Sequence, residues 1–230
     1  MRRERTRAGG RPGEVGGDLV IAAPMRLEAR ALRRGVRAGR VVRTGMGPKR
    51  SRRAAAELAE DPAASLAVAG LCGALDSELA PGDVVVASSL ALDGEAPGRA
   101  LESAPALVGL FAEQGVRAYA APLVSTGGAV HGAERDRLAR SGARGVDMES
   151  AWLAEAARGR PFAVARVVLD GPGFELYRPA RVASLVLALR RLRQVAEVLE
   201  LWGTGIPVHC PTPIESRLPR PWLGAHPREA

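Results

Sequence analysis

Aromatic residues and cysteines are scarce in this sequence. Phenylalanine, tryptophan and tyrosine together make up 3% of the 230 residues, so a hydrophobic core must be built from aliphatic side chains. Cys72 and Cys210 are too few for a disulfide framework, and no Cys-x-x-Cys pattern or His/Cys cluster offers a set of metal ligands. These absences exclude a disulfide-stapled secreted domain, favour a reducing compartment and predict no metal site.

Long hydrophobic runs are also absent. The apolar run at residues 19–25 is too short for a signal-peptide core of ~7–15 residues followed by a cleavage site. A second run, at residues 182–189, ends at Arg190 and falls well short of the ~20 residues that a membrane span requires. We therefore expect a cytoplasmic protein.

Lysine is nearly missing, although the chain is strongly basic. Lys49 is the only lysine among 33 basic residues, and the net charge is +8. A nucleic-acid-binding protein would concentrate this charge on one face and often interleave aromatic residues for stacking. Instead, five arginines lie in residues 1–17 and the others are scattered, often on the polar faces of predicted helices. The pattern favours solvated surfaces and predicts no specific nucleic-acid partner.

What the chain does contain is an alternation of apolar strands and amphipathic helices. Strands are predicted at residues 19–23, 40–43, 66–69, 83–87, 116–124 and 162–169. Helices are predicted at residues 25–34, 48–60, 101–114, 133–140, 150–157 and 179–202. The alternation predicts an α/β sandwich with a largely buried sheet, in a single domain over residues 18–203. The Arg/Gly-rich residues 1–17 are predicted to be a disordered leader, and the proline-rich residues 204–230 an extended tail.

Three carboxylates follow predicted strands. Glu28 lies in the first helical turn after the first strand, Glu149 follows an extended segment, and Asp170 ends the last strand. Because ligands of α/β sheets usually bind at the carboxyl ends of strands, these side chains are expected to converge. Such a set suits the cleavage of a glycosidic bond through an oxocarbenium-like state, in which one acid protonates the leaving group and another activates the nucleophile. The third can accept hydrogen bonds from sugar hydroxyls.

Five segments, taken in order, resemble the nucleoside phosphorylase and nucleosidase superfamily, in particular its branch that includes methylthioadenosine/S-adenosylhomocysteine nucleosidase. The segments are Met25-Arg26-Leu27-Glu28, Thr44-Gly45-Met46-Gly47, Gly70-Leu71-Cys72-Gly73-Ala74, Val146-Asp147-Met148-Glu149 and Arg166-Val167-Val168-Leu169-Asp170. The resemblance runs from Leu19 to about Trp202. It implies a three-layer α/β sandwich with a mixed central sheet, in a single domain, and an N-glycosyl hydrolase or pentosyltransferase activity.

The resemblance also implies roles for the site residues. Glu28 would activate the attacking water, and Asp170 would donate a proton toward the purine N7. Glu149 would bind the ribose hydroxyls and Met148 would contact the sugar. Neither a metal ion nor an organic cofactor is implied.

Two further groups of residues belong to the pocket that the resemblance implies. The base would be contacted by a loop that contains Thr126, Gly127 and Val130. The nucleophile, whether water or phosphate, would lie in a pocket formed by Thr44, Gly45, Gly70 and Leu71.

The chain departs from the family pattern at the expected phosphate contacts. Leu71 stands where family phosphorylases carry Ser, and Val68 where bacterial purine phosphorylases carry a phosphate-binding Arg. The loss of a hydroxyl and a guanidinium removes strong contacts to an anion, so hydrolysis is favoured over phosphorolysis. A phosphorylase stays an alternative, because Thr44, Lys49 or Arg50 could hold phosphate.

Within the superfamily, the hopanoid-associated phosphorylase group resembles the chain more closely. That resemblance rests on Asp170 without a preceding Ser, on the compressed region after the first strand, and on the lack of the aromatics that line a methylthio pocket. Val130 also occupies the position where the nucleosidase places an aromatic against the base. It implies an adenine nucleosidase acting on a 5′-substituted adenosine, with the lipid-linked nucleoside adenosylhopane as candidate substrate. Leu201-Trp202 or Trp222-Leu223 could border such a lipid tail.

Each carboxylate also has a purely structural interpretation. Asp170 could cap a turn at Gly171-Pro172, Glu28 could be favoured in the first helical turn by the helix dipole alone, and Glu149 could simply begin a helix. A non-catalytic nucleoside-binding protein is therefore the alternative from another class, and it is favoured if the three carboxylates do not face one cleft. The resemblance further implies a homodimer, because neighbouring subunits in the family often complete the sugar pocket.

Overall fold

The computed structural model describes residues 19–95, 98–172 and 181–205. Eight strands within them form one mixed sheet: β1 (Leu19–Ala23), β2 (Arg40–Arg43), β3 (Ser65–Ala74), β4 (Val84–Leu92), β5 (Arg99–Ala100), β6 (Ala118–Ser125), β7 (Gly145–Asp147) and β8 (Phe162–Asp170). The helices are α1 (Arg26–Leu32), α2 (Pro48–Ala59), α3 (Ala104–Glu113), α4 (Gly132–Arg140), α5 (Ser150–Leu153), which a 3₁₀ turn (Ala154–Ala157) extends, and α6 (Arg181–Gly203).

The central strands β1, β3 and β8 are buried on both faces, which explains their almost uninterrupted apolar sequences. Every residue of β1 is at most 1% exposed, and β1 pairs in parallel with β2 and β3. Helices α1, α3 and α6 cover one face, while α2, α5 and the 3₁₀ turn cover the other. Strands of this kind lack polar alternation because neither face meets water. The predicted three-layer α/β sandwich with a mixed central sheet is confirmed.

One end of the sheet closes on itself around the end of β3. Strand β8 runs parallel to β3 and antiparallel to β4, β4 pairs with β6, β6 pairs with β7, and β7 returns to the last residues of β3. Gly73 therefore pairs with both Val146 on β7 and Asp170 on β8. This closure brings together chain segments that lie about a hundred residues apart in the sequence.

Several elements differ from their predicted bounds. Strands β3 and β4 continue beyond the predicted residues 66–69 and 83–87, because pairing with β8 and β6 extends them through small and polar residues. The helix predicted at residues 101–114 begins only at Ala104, where Pro105 takes an early helical position. The helix predicted at residues 150–157 divides into α5 and a 3₁₀ turn.

The predicted leader, residues 1–17, and nearly all of the predicted tail lie outside the described residues, as do Cys210 and the Trp222-Leu223 pair. Leu201 and Trp202 end α6 and pack against the core beneath it. None of the helices in the described part of the chain combines the length and the hydropathy that a membrane crossing requires.

Candidate active site

A cleft with a cavity volume of about 170 Å³ opens at the carboxyl ends of β1, β3, β7 and β8. The three carboxylates predicted to converge, Glu28, Glu149 and Asp170, all line it, and they are only 1%, 5% and 6% exposed. The other predicted site residues on its wall are Leu71, Thr126, Val130 and Met148. Across the described residues, no group of His, Cys, Asp or Glu side chains is arranged to hold a metal ion.

Both oxygens of Glu28 are held by backbone N–H groups. Oε2 accepts a hydrogen bond from Met25 at 2.7 Å, just before α1, and Oε1 accepts one from Leu71 at 2.8 Å, in β3. Burial raises the pKa of Glu28, although the nearby Arg166 guanidinium and the two N–H donors act in the opposite direction. A carboxylate in this state is a better base than one in water, because its proton affinity is increased.

A fully buried arginine lies behind the carboxylates. Arg166, in the middle of β8, is 2.7 Å from Asp147 and donates to Ser150 Oγ at 2.9 Å. A Cβ at Gly70 would lie 2.5 Å from Arg166 Nη1 and 2.9 Å from Glu28 Oε1. Gly70 does not line the cleft. Its missing side chain lets Glu28 and Arg166 approach the strand. Arg166 belongs to a segment that carries the family resemblance, yet the sequence assigns it no role.

Glu149 connects the Thr44-Gly47 turn to the cleft. Its Oε1 accepts a hydrogen bond from the backbone N–H of Gly47 at 3.1 Å, and its Oε2 lies 3.5 Å from Arg166. Gly47 adopts a φ of 84°, which favours glycine, and it directly precedes α2. Burial raises the pKa of Glu149 to about 7; Arg166 opposes this and Asp147 adds to it. The charge of Glu149 is thus set to change near neutral pH.

Asp170 forms a buried ion pair that sequence reasoning missed. Arg135 Nη2 lies 2.9 Å from Asp170 Oδ2, and the two side chains are 6% and 9% exposed. Arg135 projects from α4, a helix with several charged residues, most of them exposed. The one signal in the sequence is that Arg135 stands three residues before the buried Leu138, which places both on one helical face.

The loop expected to contact the base follows β6, and its Thr126 N–H donates to the Asp147 carbonyl at the end of β7. Thr126 is buried and donates through Oγ1 to the Gly128 carbonyl at 2.7 Å. Val130 is 4% exposed and lines the cleft beside Leu169. Gly127, by contrast, is exposed and does not line it.

The residues predicted to form one nucleophile or phosphate pocket are divided between two places. Leu71 lines the cleft, whereas Thr44 and Gly45 line a neighbouring depression that also contains Arg26, Arg43 and Arg50. The two openings share Pro24, Met25 and Met46 on their walls. Lys49, the other residue considered for phosphate, lines neither of them.

Solved structures similar to this fold include nucleosidases and a futalosine hydrolase. Futalosine hydrolase of Helicobacter pylori strain 26695 has a TM-score of 0.64 and 19% identity, covering 82% of this chain and 97% of that one. A mutant methylthioadenosine nucleosidase of the same species, with 5′-methylthioadenosine in its active site, has a TM-score of 0.65 and 17% identity, covering 82% and 98%. S-adenosylhomocysteine nucleosidase from Streptococcus pyogenes, in complex with 5-methylthiotubericidin, has a TM-score of 0.64 and 22% identity, covering 84% and 98%.

A comparison with curated protein sequences finds no significant match. A family model, described as the phosphorylase superfamily, matches residues 35–199, which is more than half of the chain and includes most of the cleft. The resemblance noted in the sequence is thereby confirmed at the level of the superfamily. This chain belongs to the phosphorylase superfamily and is an enzyme of its nucleosidase and nucleoside phosphorylase type.

Proposed function

We propose that this protein hydrolyses the N-glycosidic bond of a purine nucleoside, with adenine as the leaving base. The observation that carries the proposal is the convergence of Glu28, Glu149 and Asp170 on the wall of one cleft. Convergence is the arrangement expected of a catalytic site, whereas carboxylates that faced different clefts would have favoured the alternative of a non-catalytic nucleoside-binding protein. The solved structures with a similar fold, which include nucleosidases, add support.

In the proposed reaction, the bond between C1′ and N9 breaks and its electron pair moves to the base. Asp170, which is protonated in the reacting complex, transfers this proton to N7, so that the base leaves as a neutral molecule and Asp170 returns to its ion pair with Arg135. Water attacks C1′ from the side of Glu28, which takes the proton that the water loses. Glu149 accepts hydrogen bonds from the ribose hydroxyls and Met148 packs against the sugar. The products are ribose and free base, and the protons on Glu28 and Asp170 re-equilibrate with solvent.

Water is favoured as the nucleophile by the apolar lining of the site. Leu71 offers only its backbone N–H toward Glu28, and Val68 is fully buried in the sheet. Neither residue offers a charge-assisted contact to an anion. A second candidate, phosphorolysis, is supported by the depression next to the cleft, where Arg26, Arg43 and Arg50 surround Thr44.

The proposed substrate is an adenosine with an apolar substituent at the 5′ position. Adenosylhopane, which carries a lipid tail, is the specific candidate. Methylthioadenosine, present in the active site of one structure of similar fold, is the smaller candidate. An apolar substituent is supported by Met46, which lines the cleft while 49% exposed, and by Met25 beside it. Val130, in place of an aromatic residue, leaves the base against aliphatic side chains and loop backbone.

The test is direct. Purified protein is incubated with adenosine, 5′-methylthioadenosine and adenosylhopane, with and without phosphate, and the products are separated by chromatography. We expect free adenine and ribose, or 5′-substituted ribose, without any need for phosphate. Ribose 1-phosphate formed only when phosphate is present would establish the phosphorylase instead. No free base under any condition, or an undiminished rate in Asp170→Asn, would refute the proposed function.

A further inference from the structure

Arg135 joins three parts of the cleft wall. Its Nη1 donates to the Ala74 carbonyl at 2.8 Å, at the end of β3. Its Nη2 donates to Asp170 Oδ2 at 2.9 Å, at the end of β8, and lies 3.4 Å from the Val130 carbonyl in the loop before α4. The side chain itself lines the cleft and is almost completely buried.

Stability alone is a poor explanation for this ion pair. Desolvating two charges costs about as much as their attraction returns, and buried pairs can often be replaced by apolar residues without loss. The same helix carries Arg137, which pairs with Asp93 at 2.7 Å while half exposed, where an arginine is placed at little cost. The burial of Arg135 against a cleft carboxylate therefore indicates a role in what that carboxylate does.

We propose that Arg135 is the positioning residue for proton transfer from Asp170 to the leaving base. It holds Oδ2, while Oδ1 lies beside Gly73, whose Cβ position is 3.0 Å from it and which lines the cleft. When Asp170 gives up its proton, a carboxylate forms 2.9 Å from a guanidinium that is already in place. A preorganised charge at the point where charge develops lowers the barrier, because no solvent has to reorganise. This inference rests on the proposed function, in which Asp170 is the acid.

The experiment compares Arg135→Gln, Asp170→Asn and the double variant on two substrates. The first is adenosine or 5′-methylthioadenosine, whichever the wild type cleaves faster; its base needs a proton to leave. The second is p-nitrophenyl ribofuranoside, whose phenolate leaves without one. On the nucleoside we expect Arg135→Gln to lower kcat by about 100-fold with little change in KM, as for the removal of one preorganised donor. We expect the double variant to be no slower than Asp170→Asn, because Arg135 acts through Asp170. On the phenyl riboside, we expect Arg135→Gln to keep nearly the wild-type kcat.

Arg137→Gln is the matched control, since it removes an arginine and its ion pair from the same helix without touching the cleft. Circular dichroism melting follows folding in each variant. If Arg135→Gln does not fold, Arg135→Lys, which keeps the charge, carries the same cycle and should retain part of the rate on the nucleoside.

The outcomes separate this inference from the function on which it rests. A wild type that releases no base from any nucleoside overturns both. A wild type that releases adenine while Arg135→Gln keeps the full rate overturns the inference alone. The inference is also overturned if Arg135→Gln lowers kcat equally on both substrates. The same holds if the reduction of kcat in the double variant is the product of the two single reductions, since either result marks Arg135 as merely structural.

Discussion

The backbone N–H of Leu71 donates a hydrogen bond to Glu28 Oε1 over 2.8 Å, between residues 43 positions apart in the sequence. The family resemblance predicts that Leu71 departs from the phosphorylase pattern, with an apolar side chain instead of a hydroxyl. Because the contact to Glu28 uses the main chain, that departure leaves the position of Glu28 intact. The change removes a contact to an anion and preserves the placement of the proposed base.

Replacing Glu28 with Gln should abolish most activity. Gln cannot take a proton from water, and its amide must turn an NH₂ group toward one of the N–H donors of Met25 or Leu71. We expect kcat to fall by about 10²- to 10⁴-fold, the usual contribution of a general base. The rate of adenine release measures the effect, and Glu57→Gln, at an exposed site, is the control. A Glu28→Gln variant with wild-type kcat would contradict the assignment.

The protonation of Glu149 should make substrate binding depend on pH. Its pKa is raised to about 7, chiefly by burial, and the carboxylate accepts hydrogen bonds from the ribose hydroxyls more strongly than the protonated acid does. We expect KM to fall as the pH rises through about 7. Glu149→Gln should raise KM and remove the dependence. A wild-type KM that stays constant across this window would argue against ribose binding by Glu149.

The same group should make stability depend on pH in the opposite sense. Between its ordinary value of 4.5 and about 7, the folded protein keeps a proton on Glu149 that the unfolded chain has lost. The free energy of unfolding therefore falls as the pH rises through this window. Between about pH 5 and pH 8, the Tm of the wild type should fall more steeply with rising pH than the Tm of Glu149→Gln. Equal slopes would mean that Glu149 does not titrate in this range.

Gly70→Ala should damage both folding and activity. The new Cβ would lie 2.5 Å from Arg166 Nη1 and 2.9 Å from Glu28 Oε1, and Arg166 is too deeply buried to move away. We expect a lower Tm and a strong loss of kcat. Gly109→Ala is the matched control: Gly109 lies in α3 with nothing within 4 Å of its Cβ position, so that variant should gain about 0.5–1 kcal/mol from helix propensity. Similar behaviour of the two alanine variants would refute the packing explanation.

Glu200→Ala should destabilise the fold without altering the cleft. The Glu200 carboxylate accepts hydrogen bonds from the backbone N–H groups of Arg37, Ala38 and Gly39 at 2.6–3.0 Å, which fix the loop before β2 to α6. Partial burial alone would raise the pKa of Glu200, but these donors outweigh it and lower the pKa. The stabilisation is therefore present above the ordinary carboxyl pKa and is lost as the pH falls through the lowered one.

At neutral pH we expect Glu200→Ala to lower the free energy of unfolding by about 1–3 kcal/mol, as charged hydrogen bonds do. Denaturant titration measures it, and Glu197→Ala, which removes an exposed ion pair one helical turn earlier, is the control. The difference in the free energy of unfolding between Glu200→Ala and Glu197→Ala, which we call the gap, should narrow in acid. A gap that is absent at neutral pH, or that widens in acid, would contradict the interpretation.

Elements that depend on local sequence patterns could be predicted well. Contacts that depend on the closure of the sheet could not be predicted. Strand β2 has the predicted bounds, residues 40–43, because turn residues and a helix-starting proline flank it. Strand β3 is longer than its apolar run, since Gly70 to Ala74 pair with β7 and β8 despite low strand propensity. Pairing partners of this kind are invisible in a local window.

For the cleft, the carboxylates could be found because each follows a strand, whereas their cationic partners could not. Arg135 resembles any other arginine of a charged helix until α4 is placed against the end of β8. Arg166 is a charged residue within an apolar strand, which the sequence shows, but the sequence does not show which acids surround it. Ion pairs between elements distant in the chain are properties of the assembled fold.

The charges around Arg166 do not balance. Among the described residues, Glu28, Asp147 and Glu149 all act on this one guanidinium, while Arg135 is already committed to Asp170. With its acids ionised, the wall of the cleft holds more negative than positive charge in a region of low dielectric, where such an excess is costly. In the proposed reaction, a sugar that becomes cationic as its bond to the base stretches supplies the missing countercharge. Protonation of Glu149 near neutral pH relieves part of this excess, and the cationic sugar of the proposed reaction balances it when the acids are ionised.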